Sequence, residues 1–242
     1  MITIRIPEEI YQAHREIEGG TFHGRWHFSF DRYRDPEHIQ FGSMRVFNDD
    51  TLSQGAVWPL HPHENIEVVT YCVAGEFRHA DQRGKGGVLK KGWVQHTTVG
   101  SGIYHSEINN LPDRPMRFIQ MWFLPSAQDL KPSVEQKAVS QEERLNRFLA
   151  LVSNDHKAAL PIHADAQVHS CFLQAGQVVP YQIDRGWGVY LYVLEGGPVD
   201  LGGNLIPTLG AAQVQQEKAL RVEAEGDAEL LLVSVRLAGL AA

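Results

Sequence analysis

The sequence predicts an all-β protein made of two similar units. Short runs rich in β-branched and aromatic residues recur along the 242 residues and are separated by glycine or Asx turns. Helical periodicity is scarce, and a segment of the first half recurs in the second half. The 22 glycines and 12 prolines are spread along the chain, which suits tight turns between short strands better than a disordered tract.

The β-rich runs of the first half occupy most of residues 41–125. A glycine-rich stretch at 81–87 is predicted to form a hairpin loop between two of them. The predicted strands lie within the segments 41–50, 56–63, 66–81, 86–102 and 114–125.

A helix is predicted at 140–152, where the helical pattern is strongest. Ser140 is placed as its N-cap, and Glu143, three residues later, completes a capping box. The preceding segment 124–137 carries two prolines and polar residues and is predicted to be a linker. The chain is therefore expected to divide into a first domain at 1–136 and a second part at 137–242. That second part comprises the short linking helix and a second domain.

An internal repeat supports this division. Residues 55–76 and 176–197 align without a gap at an offset of 121, and six positions are identical, among them glycines and a proline that constrain the backbone. The second copy has Gln182 and Asp184 where the first has His61 and His63. Because the strand pattern is kept and the imidazoles are lost, a single chemical site in the first domain is predicted.

Four side chains in two clusters carry that predicted site. His61 and His63 lie two residues apart in HPHENIE, and His105 and Glu107 lie two residues apart in IYHSE. In an extended strand, residues i and i+2 project to the same face, so two adjacent strands would bring three imidazoles and one carboxylate around one point. This donor set suits a first-row transition metal and leaves coordination positions open for substrate or dioxygen.

Several nearby residues are left with alternative roles. Glu67 either orients a ligand histidine, ends a strand or ligates the ion itself. His79 and His96 either line the cavity or belong to the core or surface. Glu64 is predicted to face solvent.

Composition and charge exclude several classes of protein. The net charge of −7 provides no basic field for nucleic acid phosphates. No apolar run approaches the roughly 20 residues of a membrane span, and the first residues show no signal-peptide pattern. Cys72 and Cys171 lie in apolar runs without a CxxC pair, which indicates buried thiols in a reducing compartment. A cytoplasmic protein without a membrane or direct nucleic acid partner is therefore expected.

The segments that carry the predicted ligands resemble a known family. Residues 55–76 resemble the first cupin motif, with a glycine, the HxH pair, a glutamate and a closing glycine, although one extra residue precedes Gly75. KKGWVQHTTVGSGIYHSEIN is similar to the second cupin motif in the form used by the pirin family. Segments 26–50 and 116–125 are similar to that family's N-terminal segment and closing strand.

The resemblance implies two stacked antiparallel β-barrels of the cupin, or jelly-roll, type, the second of them degenerate. Carried over, the pirin ligands are again His61, His63, His105 and Glu107, and the residue at Glu67 is not a ligand. One divalent transition-metal ion is implied, most often Fe(II), with copper, nickel, manganese or zinc as alternatives.

Two functions follow from the resemblance. Bacterial members resemble quercetin 2,3-dioxygenases, which open the ring of a flavonol with O2, and Glu107 is then the predicted catalytic base. The alternative is a non-enzymatic, redox-sensing regulator that binds a metal and acts through a protein partner, and a non-oxidative cupin isomerase is the least favoured class. The candidates for the aromatic cavity of a flat substrate are Phe28, Phe30, Phe47, Trp58 and Trp93.

Overall fold

Nearly all of the regular structure is β-strand. The computed structural model describes residues 1–82, 84 and 86–237, and within them the strands form four sheets whose paired strands run antiparallel. Each half of the chain contributes one large and one small sheet, with apolar side chains packed between them. The predicted all-β architecture of two jelly-roll domains is confirmed.

The first half provides a seven-stranded and a four-stranded sheet, and its strand β1 joins the large sheet of the second half. Its strands are β1 (Ile2–Arg5), β2 (Tyr11–Ile17), β3 (Gly20–Trp26), β4 (Met44–Leu52), β5 (Val57–His63), β6 (Glu67–Ala74), β7 (Phe77–Asp81), β8 (Gly86–Leu89), β9 (Val94–Thr98), β10 (Ile103–Asn109), β11 (Met116–Phe123) and β12 (Ser133–Lys137), with a 3-10 turn at Pro7–Glu9. The large sheet has the order β12-β9-β6-β11-β4-β3-β2, and the small sheet has the order β5-β10-β7-β8.

The second half repeats the arrangement with a six-stranded and a four-stranded sheet. Its strands are β13 (Leu149–Ser153), β14 (Ala166–Leu173), β15 (Val178–Gln182), β16 (Trp187–Gly196), β17 (Val199–Leu201), β18 (Leu205–Ile206), β19 (Ala211–Val214), β20 (Ala219–Ala224) and β21 (Ala228–Arg236), with a 3-10 turn at Glu142–Arg144. The large sheet has the order β1-β19-β16-β21-β14-β13, and the small sheet has the order β15-β20-β17-β18.

The strands predicted for the first half are confirmed, and so is the hairpin. β7 and β8 pair antiparallel across the predicted loop at 81–87, of which residues 83 and 85 lie outside the described residues. Cys72 and Cys171 are buried free thiols, as predicted.

The expected closed barrels are wrong. In the described residues, the large and small sheets of each half pack face to face as an open sandwich, and pairing stops at edge strands such as β2 and β12. A barrel requires the hydrogen-bond ladder to continue around a ring. The cores therefore lie between two layers, as in double-sheet jelly rolls.

The predicted linking helix at 140–152 is also wrong. The capping residues do bond each other, since the Ser140 amide donates to Glu143 Oε2 at 2.8 Å, but only the 3-10 turn at Glu142–Arg144 follows. The chain then extends into β13, which pairs with β14 in the large second-half sheet. Burial of its apolar residues in that sheet outweighs the local helical signal. Nowhere in the described part of the chain is a helix both long and apolar enough for a membrane crossing.

The predicted linker at 124–137 is partly a strand. β12 pairs with β9 and so extends the large sheet of the first half. At the other end of the chain, β1 pairs with β19 of the second half. The division of the chain at residue 136 stays a prediction.

The two halves share a core between their large sheets. One apolar cluster joins Phe47 of the first half to Tyr190 of the second. Across the same boundary, Tyr192 Oη donates to Asp49 Oδ2 at 2.6 Å, and Arg117 donates to both oxygens of Asp49 at 2.7 Å. These contacts hold β4 and β11, two strands that also contribute to the site described next.

Candidate metal centre

The two predicted clusters lie on neighbouring strands. β5 carries His61 and His63, β10 carries His105 and Glu107, and the strands pair antiparallel with His105 opposite His61. Side chains two residues apart share one face of a strand, so the imidazoles point into one space. The structure thus brings together the three histidines that the sequence predicts.

A β-bulge in β5 sets the direction of the histidines. Between the partners of His105 and Glu107, β5 contains one residue more than β10. The bulge includes Pro59, and β5 is an edge strand, where a residue without an amide hydrogen need not break the ladder. Leu60 turns outward and is 59% exposed, so His61 follows on the inner side.

The three imidazoles are close enough to bind one ion. Ring nitrogens of His61, His63 and His105 all lie within 4.8 Å of one another. The ring centroids of His61 and His105 are 4.5 Å apart, and those of His63 and His105 are 5.0 Å apart. Nitrogen donors grouped on this scale can reach a single transition-metal ion with small side-chain movements.

Hydrogen bonds behind two of the rings direct their other nitrogens inward. His61 Nδ1 donates to the Pro59 carbonyl oxygen at 2.8 Å, so His61 Nε2 keeps a lone pair when the ring is neutral. His105 Nδ1 and His79 Nε2 are hydrogen-bonded at 2.8 Å, and His105 Nε2 faces His61 Nε2 at 3.0 Å. Metal-ligating histidines are commonly held through the second ring nitrogen in this way.

The burial of the histidines also fits a metal ion. Among the described residues, His63 Nε2 is buried without a hydrogen-bond partner. Burial lowers the pKa of His63 to about 4, and burial together with the neighbouring imidazoles lowers the pKa of His105 to about 2. Both rings are therefore neutral near pH 7, and neutral imidazole is the form that binds first-row metals. This donor set fits a divalent transition-metal ion.

Glu107 lies on the same wall but is not part of the group of atoms within 4.8 Å. Its Oε1 accepts a hydrogen bond from Gln120 Nε2, and Gln120 Oε1 accepts one from Trp122 Nε1 at 2.8 Å. These bonds hold the carboxyl group at the cavity. Burial raises the pKa of Glu107 to about 7, which suits proton transfer near neutral pH.

A cavity of about 270 Å³ opens beside these residues. This volume is near the lower end of the roughly 300–1,000 Å³ of small-ligand pockets. Aromatic rings form much of the wall, with polar groups between them. The lining residues are Arg15, Phe22, Trp26, Phe30, Asp31, Asn48, Asp50, Trp58, His61, His63, Glu107, Phe118, Gln120 and Trp122.

Two of the five aromatic residues predicted for the cavity, Phe30 and Trp58, line it. The prediction is wrong for the other three. Phe28 and Phe47 belong to the apolar cluster between the halves, and Trp93 packs against a cluster of the first half. Large aromatic side chains dominate protein cores as well as binding sites, so residue type alone does not separate the two.

Five polar residues of the cavity were not predicted from the sequence: Arg15, Asp31, Asn48, Asp50 and Gln120. Gln120 is buried in the middle of the apolar strand β11, between the cavity-lining Phe118 and Trp122 two residues to either side. Asp50 is buried in β4. A polar residue at an inward position of a buried strand is the signal that could have found Gln120.

Glu67 and His96 support the fold at a distance from the cavity. Glu67 Oε2 accepts hydrogen bonds from His96 Nε2 at 2.7 Å, from Thr98 Oγ1 at 3.2 Å and from the His163 amide at 3.2 Å. The alternative in which Glu67 orients a ligand histidine is therefore wrong, and His96 belongs to the core. His79 supports His105 from behind and does not line the cavity.

A histidine cluster on adjacent strands of a jelly roll is typical of the metal-binding cupins. In the part of the second half that the structure describes, the jelly roll is repeated without such a cluster. The first half, over residues 10–123, matches the family model Pirin. Residues 150–235 match the model of the quercetinase C-terminal cupin domain. The chain belongs to the pirin family.

Similar proteins share most of their length with this chain. A Pseudomonas aeruginosa protein provisionally named quercetin 2,3-dioxygenase is 38% identical over 218 residues, 89% of this chain and 93% of that protein. A pirin-like protein of Caulobacter vibrioides is 35% identical over 221 residues, 89% of this chain and 94% of that protein. The crystal structure of the bacterial pirin YhhW of Escherichia coli in complex with nickel(II) has a TM-score of 0.90 at 27% identity, over 98% of this chain and 100% of that one. A pirin of this fold thus binds a metal ion.

Proposed function

We propose that this chain is a pirin-type dioxygenase that opens an aromatic enol, such as the flavonol quercetin, with O2. The observation that carries the proposal is the convergence of neutral imidazoles and a buried carboxyl group on one aromatic cavity. Relatives named quercetin 2,3-dioxygenase support an oxidoreductase at the level of the family.

The proposed metal ligands are His61, His63, His105 and Glu107. The nitrogen donors favour a first-row ion, and the carboxylate favours an ion with more than four ligands. We infer Fe(II), with copper, nickel, manganese or zinc as alternatives. When bound, the ion supplies coordination positions for the enol oxygen of the substrate and for O2.

Glu107 is the proposed base for the substrate hydroxyl proton. Gln120 holds Oε1 of the carboxyl group, so Oε2 is the oxygen that is free both to contact the ion and to accept the proton. Trp122 in turn fixes the Gln120 side chain, so the direction of the carboxyl group is set before the substrate arrives. A base with a pKa near the working pH combines a large deprotonated fraction with a useful affinity for the proton.

The aromatic wall of the cavity is suited to a flat substrate. The rings of Trp26 and Phe30 meet at 81° with centroids 5.0 Å apart, and Phe30 meets Trp122 at 83° and 5.3 Å. Near-perpendicular rings offer both faces and edges to an aromatic ligand. They also keep water away from the polar groups, which strengthens every electrostatic contact made inside.

Turnover of quercetin by metal-loaded protein tests this function. We expect one O2 to be consumed and one carbon monoxide to be released for each quercetin, measured with an oxygen electrode and by gas analysis. Protein loaded in turn with Fe(II), Cu(II) and Ni(II) serves to identify the active ion. Failure of every loaded form to consume quercetin would contradict the proposal and favour the metal-dependent regulator instead.

A further inference from the structure

The cavity contains a second buried carboxyl group, that of Asp50, for which the proposed reaction has no role. Asp50 lies on β4 between Gly24 of β3 and Phe118 of β11, and it is 7% exposed. Its Oδ1 accepts a hydrogen bond from Trp26 Nε1 at 3.2 Å. Among the described residues, no group hydrogen-bonds the other oxygen, Oδ2. Asp50 therefore offers one carboxyl oxygen to whatever enters the cavity.

The strand beside Asp50 leaves space for this arrangement. A Cβ atom at Gly24 would lie 2.5 Å from Asp50 Oδ1 and 2.6 Å from Trp26 Nε1. Gly24 is not among the residues with positive φ, so its backbone conformation does not call for glycine. The absence of a side chain at position 24 instead makes room for the hydrogen bond that orients the Asp50 carboxyl group.

The neighbouring residue Asp49 shows how differently Asp50 is placed. Asp49 faces the boundary between the halves and is neutralised by the bidentate Arg117. Among the described residues that line the cavity, the one guanidinium or ammonium group is that of Arg15, which pairs with Asp31 at 2.6 Å. A buried carboxylate without a paired cation is costly, so a carboxyl group in this position keeps its proton.

The electrostatics of the cavity agree with a protonated Asp50. Burial, followed by the negative charges of Glu107 and Asp49, raises the pKa of Asp50 well above its usual value. The Trp26 hydrogen bond and the positive charge of Arg15 lower the pKa of Asp50 with smaller effect. Burial and the nearby acids thus favour the neutral form of the Asp50 carboxyl group.

We propose that Asp50, in its neutral form, donates a hydrogen bond from Oδ2 to an uncharged acceptor oxygen of the substrate. The inference rests on the proposed function, because it assumes an aromatic enol in this cavity, and it narrows the substrate class. The substrate then carries a carbonyl oxygen in addition to the hydroxyl group that reacts. Asp50 sets the orientation of the substrate in the cavity and takes no proton from it.

Binding of quercetin to nickel-loaded protein in the absence of O2 tests the role of Asp50 apart from turnover. D50N keeps a neutral donor and the acceptor for Trp26, whereas D50L and the smaller D50A remove both. We expect the dissociation constant of quercetin to change less than about threefold in D50N and to rise about tenfold in D50L and D50A, the loss typical of one hydrogen bond. D184L, which removes an exposed acid of the second half, is the matched control and should bind quercetin like the parent protein.

The outcomes separate this inference from the proposed function. Nickel content and circular dichroism first establish that each variant is folded and loaded. Parent-like binding in D50L and D50A would overturn the role of Asp50 and leave the dioxygenase proposal standing. A tenfold loss in D50N as well would show that the ionised carboxylate is needed, which also overturns the inference. Parent protein that binds no quercetin in any of its Fe(II), Cu(II) and Ni(II) forms would overturn both.

Discussion

The two halves of the chain share one strand arrangement and differ in what lies inside it. β5 pairs with β10 in the first half as β15 pairs with β20 in the second. Histidines, carboxyl groups and a cavity occupy the interior of the first half, whereas valines, leucines and isoleucines fill that of the second. The fold therefore does not require the cavity, and the chemistry depends on residues added to a common scaffold.

The β-bulge in β5 accounts for much of the difference between the two interiors. β15 pairs with β20 without a register shift, so Val179 and Tyr181 pack on the apolar cluster and Gln182 is exposed. β5 has the same length as β15 over this stretch, but its bulge places two of its residues opposite one residue of β10, so His61, the counterpart of Gln182, faces inward. Because successive strand residues alternate between faces, a strand of equal length without a bulge has the opposite faces inward after this point. The bulge thus makes a position that is exposed in the second half face the cavity in the first half.

A pair of substitutions at one position of the repeat is expected to have the largest effect. H61A removes a proposed ligand and should abolish nickel binding, whereas Q182A changes the equivalent residue of the second half and should leave the affinity unchanged. Equal nickel affinities for H61A and Q182A would contradict the assignment of the site to the first half.

Leu232→Ala should destabilise the second half without reaching the metal site. Leu232 is fully buried in the apolar cluster that takes the place of the cavity. A buried leucine reduced to alanine loses about 2–5 kcal/mol of unfolding free energy, because a cavity is left behind. Urea unfolding monitored by circular dichroism gives this loss. A marked fall in nickel affinity of the still-folded variant would show that the two interiors are coupled.

His169 should make the second half sensitive to acid. Burial lowers its pKa from 6.5 to about 4, so the unfolded chain binds the proton more readily than the folded chain. The contribution of the neutral ring to stability is therefore complete above pH 6.5 and is lost as the pH falls from 6.5 towards 4. At 1.36 kcal/mol per unit, the loss amounts to about 3 kcal/mol.

H169Q tests this dependence by difference from the parent protein. Unfolding free energies measured between pH 7 and pH 4 should fall less steeply in H169Q, because glutamine does not titrate. Parallel curves for the two proteins would show that His169 binds its proton equally in the folded and unfolded states.

Gln120→Leu should have the smallest effect, since it removes a support of the site and leaves the proposed ligands in place. Without the Gln120 amide, the Glu107 carboxyl group loses its fixed direction. Loss of such a supporting hydrogen bond typically costs about 10–100-fold in metal affinity or activity. Quercetin turnover should fall by this factor in Q120L and stay low in Q120E, because a glutamate carboxylate keeps the side-chain shape but has no N–H to donate to Glu107. Full activity in Q120L would show that contacts other than the Gln120 hydrogen bond position Glu107.

The histidine pairs could be predicted from the sequence because side-chain alternation is a local property of a strand. An extended backbone is enough to make His61 and His63 point to the same face. The resemblance of both motifs to the pirin family indicated that the strand with His105 and Glu107 lies beside them. The all-β class followed in the same way from recurring short apolar runs and turns. Sequence spacing was therefore sufficient to predict features that depend on only a few neighbouring residues.

The features that the sequence did not reveal depend on contacts between distant segments. The helix predicted from Ser140 and Glu143 yields to burial of β13 in a sheet assembled from residues far along the chain. The bulge in β5 is defined only by comparison with β10, about forty residues later. The roles of Asp50 and Gln120 likewise depend on the pairing of β4 with β11, which brings both residues to one cavity. The spacing of residues along the chain does not show which distant strands pair with each other.

A crystal structure of the nickel-loaded protein tests the central claim most directly. The account predicts one nickel ion per chain, bound by nitrogen atoms of His61, His63 and His105 and by an oxygen of Glu107, with none inside the second half. An ion bound elsewhere, or one that contacts fewer than two of these histidines, would contradict it.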